Sequence, residues 1–189
     1  MRMRIPIVLM LIAGLLLSVG CEKFTSDEPA SSGVYLGGKR VVSIGSTFIG
    51  GGIASPLLGS SHLCQMYEQY FEQGQSWDQV ASVVTITGFR YTDVTYSEPG
   101  QYLDFISISG AVLDLDTPLV ILLNQGEYKG GCELVSSVRI TNYDVGTIKN
   151  QKTGERNDDG KIDIEISLTD GRTLRIHYRG KILNDGYDY

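Results

Sequence analysis

The chain has little of what metal and nucleotide chemistry require. Only 2 histidines occur in 189 residues, His62 and His177, so a zinc site built from several imidazoles is not encoded. His62 beside Cys64 reads as a neighbour in the fold and not as a ligand pair. The hydrolase patterns G-x-S-x-G and H-E-x-x-H are missing, as is a complete P-loop, G-x-x-x-x-G-K-[ST]. Gly50-Gly51-Gly52-Ile53-Ala54-Ser55 approaches a dinucleotide fingerprint, but Ser55 stands where the last glycine belongs. Positive charge is scarce: 16 Lys+Arg face 22 Asp+Glu, a formal net charge of −6. Such a surface is a poor partner for nucleic acid or anionic headgroups. No internal repeat argues for a solenoid or propeller.

What is present begins at the N-terminus. Arg2 and Arg4 precede an unbroken apolar run from Ile5 to Leu17, and Ser18-Val19-Gly20-Cys21 follows. A basic head, a short hydrophobic segment and a small residue before a cysteine make an export signal cut before Cys21. The run falls short of the roughly 20 apolar residues of a spanning helix. These residues resemble the signal sequence of bacterial lipoproteins. The resemblance covers residues 1 to about 28, with Ser18 standing where the family prefers leucine. It implies a diacylglyceryl thioether, with amine acylation, on Cys21, and attachment to the cell envelope, most naturally the outer membrane. Two or more acyl chains make such an anchor stable, at about 0.8 kcal/mol per buried methylene. The expected organisation is signal peptide 1–20, lipidated tether 21–33 and one β-rich domain 34–189. Removing residues 1–20 leaves 14 basic against 22 acidic residues, a formal charge of −8.

Cys64 and Cys132 remain as an even pair in an oxidising compartment. A bridge between them would close a loop of nearly seventy residues and add about 4 kcal/mol in the chain-entropy model. Two separately buried thiols are the alternative reading.

Most of the body reads as strand. Val34–Phe48 has the pattern of a hairpin around Gly37-Gly38, and residues 50–61 that of a Gly/Ser-rich loop. Leu63, Met66, Tyr67, Tyr70 and Phe71 recur at three- and four-residue spacing, which predicts a helix over 62–73 with both tyrosines in the core. Val83–Phe89, Val94–Tyr96, Tyr102–Ile108, Leu119–Leu123 and Val135–Tyr143 follow as strands. The last hairpin is the sharpest element. Ile162, Ile164 and Ile166 alternate with Asp163 and Glu165, and Leu174, Ile176 and Tyr178 with Arg175 and His177. Like must face like, because a one-residue slip turns every side chain over. That parity demands a three-residue loop, Thr169-Asp170-Gly171, with Gly171 in the left-handed position. The fold class is mainly β: a single antiparallel β-sandwich or partly open barrel with one helical insertion. The last hundred residues also look like small single-domain lipoproteins of Bacteroidota, a likeness that brings no functional residues.

Four candidate sites emerge. Residues 155–163 resemble the calcium loop of EF-hand and dockerin proteins, with Glu155, Asn157, Asp159 and Asp163 at alternate positions and Gly160 at the sixth. The twelfth position, a bidentate acid in that family, is Ile166 here, so the stretch reads as a turn entering the hairpin, with no calcium and no other cofactor expected. Arg172, Arg175, His177 and Arg179 form a basic stripe that would suit a carboxylate or phosphate, unless Asp163 and Glu165 opposite them pair it off. Eleven tyrosines and Trp77 would suit sugar stacking if exposed, or core packing if not. Paired carboxylates distant in the chain would make a glycan hydrolase. The leading function is a non-enzymatic envelope module binding a glycan or protein partner; the alternative is that hydrolase. For the anchor, Cys21→Ser is expected to abolish the lipid mass on the mature N-terminus and shift the protein out of the membrane fraction.

Overall fold

Alternation of apolar and polar residues builds this molecule, and two stacked sheets bury the apolar half of it. The structure is a computed structural model. It describes residues 31–55, 59–72, 79–90, 103–145, 148–150, 155–156 and 160–184. Cys21, Trp77, the expected strand at 94–96, and Asn157 and Asp159 lie outside the described residues.

The strands are β1 (Gly33–Leu36), β2 (Lys39–Ser43), β3 (Ser46–Ser55), β4 (Gly59–Tyr67), β5 (Val84–Arg90), β6 (Leu103–Ile108), β7 (Leu119–Asn124), β8 (Glu127–Gly130), β9 (Val135–Asp144), β10 (Ile148–Asn150), β11 (Glu155–Arg156), β12 (Gly160–Leu168), β13 (Thr173–Gly180) and β14 (Ile182–Asn184). A 3-10 turn, Gly110–Leu113, separates β6 from β7. One sheet has five strands in the order β2-β1-β13-β12-β9, and the other has seven in the order β14-β3-β4-β5-β6-β7-β8. Strands β10 and β11 form a separate ribbon. The architecture is an open β-sandwich. All pairings are antiparallel except β14 with β3, which is parallel.

The final hairpin has the register that parity demands. Ile164 faces Ile176, Ile162 faces Tyr178, Asp163 faces His177 and Glu165 faces Arg175. Gly171 closes the loop at φ +86°, and its N–H donates to the Leu168 carbonyl at 3.1 Å. The inner rows continue across the sheet: Val34, Ile176, Ile164 and Ile140 form one, and Leu36, Leu174, Ile166 and Val138 another. The opposing sheet answers with Ile49, Cys64, Ile86, Ile106 and Ile121 across five strands. These residues share one core.

Two expectations need correction. Residues 62–67 are strand, not helix, and residues 50–52 lie within β3, not in a loop. The C-terminal end of strand β4 buries side chains on both faces. Cys64 and Met66 enter the main core, while Tyr67 packs edge-on against Phe48 and Phe71 in a second cluster on the outer side, with Leu183. Adjacent buried residues such as Met66-Tyr67 erase the two-residue period and imitate helical spacing. Tyr70, placed in the core by that spacing, is 76% exposed. The glycines of β3 are accommodated because the pairing with β4 shifts between Gly51 and Ala54.

Cys64 and Cys132 are not joined by a disulfide. Cys64 points into the core from β4, and Cys132 follows β8, four strands away. Four strand spacings amount to about 19 Å along the sheet, and a disulfide needs Cα atoms within about 7 Å.

The chain leaves the five-stranded sheet at Gly180 and joins the seven-stranded one through β14. The Tyr178 hydroxyl donates to the Lys181 carbonyl at this crossover, and burial pushes that phenol up to about 12. Gly160 lies opposite Gly180, and a Cβ there would stand 2.7 Å from the Ile182 side chain and 2.8 Å from the Gly180 carbonyl. Its role is close packing at the start of β12, not turn chemistry. Gly160→Ala is expected to cost about 1–3 kcal/mol in denaturant unfolding. Gly171→Asn meets open space in a conformation asparagine tolerates, and is expected to stay within about 0.5 kcal/mol of wild type.

Candidate functional site

The outer face of the five-stranded sheet carries the polar residues that the inner face rejects. Two rows cross it. One runs Arg40, Tyr35, Arg175, Glu165, Arg139 over β2, β1, β13, β12 and β9. Beside it run Ser43, Gly33, His177, Asp163 and Asn142.

The second row is buried although it faces outward. His177 is 1% and Asp163 4% exposed. Three donors converge on the Asp163 carboxylate: His177 Nδ1 at 2.7 Å, Arg179 Nη2 at 2.6 Å and Asn142 Nδ2 at 2.7 Å. Burial raises the affinity of this carboxyl for a proton. The bonds from Arg179, His177 and Asn142 and the Arg179 charge together outweigh burial and hold it below the usual aspartate range. An ionised Asp163 accepts, so Nδ1 of His177 carries its proton. Arg40 covers part of the row. A Cβ on Gly33 would come within 2.7 Å of the Arg40 side chain, so the absence of a side chain at Gly33 is what lets the arginine stem lie down there. The Arg40 Nη1 donates to Ser31 Oγ at 2.6 Å.

In the first row the pairing departs from expectation. Glu165 and Arg175 are register partners, yet Arg139 takes the carboxylate, with Nε at 3.1 Å and Nη2 at 2.6 Å on one oxygen. The basic stripe therefore divides. Arg172 is held by Asp170 within the hairpin turn, and His177 and Arg179 by Asp163. Arg175 has no carboxylate partner among the described residues, and its Nε is buried without a hydrogen bond. An unmet buried donor costs about 1–3 kcal/mol.

Among the described residues the other candidates are not assembled into a site. Asp163 is engaged by its three donors, and no group of three or more His, Cys, Asp or Glu among the described residues is arranged for a metal; Asn157 and Asp159 of the calcium-loop stretch lie outside the described residues. Tyr67 and Tyr178 are core residues, as the sequence indicates. A cleft lined by Leu113, Leu115, Leu134, Leu168 and the Asp170–Arg172 turn encloses about 100 Å³. That is well below the roughly 300 Å³ at which small-molecule pockets begin.

No protein-family model, curated protein or solved structure matches this chain. The arrangement of its own residues is therefore what bears on function. Sequence reasoning found the stripe and its facing acids but missed Asn142, Arg139 and Arg40. They lie on strands distant in the chain, and only the sheet order brings them alongside.

The depressed Asp163 carboxyl ties stability to pH. Its contribution is complete above the ordinary aspartate value of about 3.9 and is lost as pH falls through its lower folded value. Asp163→Leu leaves Arg179 and His177 without their anion and is expected to cost about 3–5 kcal/mol at neutral pH. The gap to wild type should shrink in urea melts as pH falls below about 4 toward the lower folded value of Asp163, because the unfolded chain there takes up a proton that the native carboxylate still excludes.

Proposed function

We propose that this protein is an exported, lipid-anchored binding module of the cell envelope. It is held to the outer membrane through Cys21 and engages its ligand with the outer face of the five-stranded sheet. Support for the anchor is the Arg2/Arg4 head, the apolar run and Gly20-Cys21. The acidic balance of the chain argues for a glycan or protein partner and against nucleic acid.

The observation that favours binding over hydrolysis is the commitment of Asp163 and Glu165. They stand two residues apart on one face of β12, about 6.6 Å at ordinary strand rise. That separation alone would suit an inverting glycosidase pair. Such a pair needs one carboxyl held protonated and both open to substrate. Asp163 is instead pulled toward its ionised form and buried, and Glu165 carries Arg139.

The test is incubation of the full-length protein in detergent micelles with a panel of envelope and plant polysaccharides, following retention and reducing ends together. Retention without new reducing ends is expected. Reducing ends that accumulate with time and vanish in Glu165→Gln would replace this reading with the hydrolase.

A further inference from the structure

We propose that Arg175, together with Arg40, forms a carboxylate-binding site on the outer face of the five-stranded sheet, and that its ligand is a uronate-bearing polysaccharide. The proposal rests on the reading of this face as the binding surface and names what it binds.

Arg175 is the member of the basic stripe that the fold leaves without an anion. Its register partner Glu165 is turned to Arg139. Its Nε is buried and unbonded. A planar guanidinium matches a carboxylate with two parallel N–H donors, and with Nε buried those of Arg175 would come from its two Nη atoms. Arg40 lies in the same row on the far side of Tyr35, two strands away, or about 9.5 Å at ordinary strand spacing. Its stem is laid over Gly33 and its guanidinium is tethered through one nitrogen to Ser31. Arg40, Arg175, Arg139, Arg179 and Lys161 stand against the three carboxylates of Asp163, Glu165 and Asp144 on this face, so cations are in local surplus on a chain that is acidic overall.

The shape and chemistry of the face select among anions. Two cations in line with an aromatic between them suit a linear polymer bearing repeated carboxylates. An interface with a protein needs a charge-depleted, apolar centre with aromatic anchors. This row has one ring, Tyr35, among four charged residues. The Tyr35 hydroxyl donates to the Ser31 carbonyl at 2.6 Å, which ties the ring to the residue that also holds Arg40.

The experiment uses the full-length protein in detergent micelles at low salt, with polygalacturonate as the probe. Methyl-esterified polygalacturonate, dextran sulfate and polyglutamate serve as competitors. Arg175→Ala is expected to weaken retention of polygalacturonate by about tenfold or more, as loss of one charge-assisted pair would. Arg40→Ala should weaken it less. Arg172→Ala removes the same charge from the turn that leads into the strand, at a residue tied to Asp170, and should leave retention unchanged. The esterified polymer should not compete. Unfolding midpoints of all three variants are measured alongside, and because Arg175 makes no ion pair its replacement should keep the fold. Polygalacturonate retained equally by Arg175→Ala overturns this site and leaves a binding module standing. No retention by wild type overturns the uronate assignment. Polyglutamate or dextran sulfate competing better than free polygalacturonate overturns the ligand class in favour of an acidic protein or a sulfated polymer. Reducing ends released from the probe overturn the module reading itself.

Discussion

The pairing of β12 with β13 is the constraint on which the rest of this molecule depends. Eight register pairs, Gly160 with Gly180 through Ser167 with Thr173, hold two central strands in one phase. That phase sends Ile162, Ile164, Ile166, Leu174, Ile176 and Tyr178 to one side and Asp163, Glu165, Arg175 and His177 to the other. A slip of one residue would bury four charged or polar groups in the core and expose its largest apolar surface. The cost would be many times the stability of a domain, so the register has no competitor. Strands β1 and β9 then dock on either side and inherit the same phase.

The outward side of this hairpin is not simply a wet surface. The central position of β12 and β13 in a five-stranded sheet buries Asp163 and His177 under their own neighbours. A buried carboxylate must be fully bonded or it is destabilising, and three donors from the two flanking strands, β13 and β9, answer that need. Meeting it uses up His177 and Arg179, while Arg139 draws off Glu165, and this order of satisfaction leaves Arg175 facing outward alone. The chemistry of the face is thus a residue of its structural bookkeeping: the ion left over is the one available to a ligand.

Legibility from sequence followed the number of faces a strand buries. Strands β12 and β13 bury one apolar face each, so their period of two is plain and the loop length follows from parity alone. Strand β7 reads in sequence as a strand but only as a continuous apolar run; the structure buries Leu119, Ile121 and Leu123 and leaves Val120 and Leu122 more open. Strand β4 is covered on both sides, by the main core and by the Phe48, Tyr67 and Phe71 cluster, and its pattern therefore passes for a helix. The glycines of β3 read as loop because propensity is local, whereas the strand persists through pairing to β4 on one side and β14 on the other.

By itself the sequence determined the strand phase of the final hairpin, the position of Gly171, the mainly β class and the pattern of an export signal, because each rests on neighbours within a few residues. The tertiary structure alone decided that the sheets stack as a sandwich and that Cys64 and Cys132 sit strands apart. It also decided that Asn142 and Arg179 meet at Asp163 and that Glu165 pairs with Arg139 on β9 and not with Arg175 on β13. Those outcomes depend on which strands lie side by side, and strand order is set by burial summed over both sheets, a quantity no local window contains.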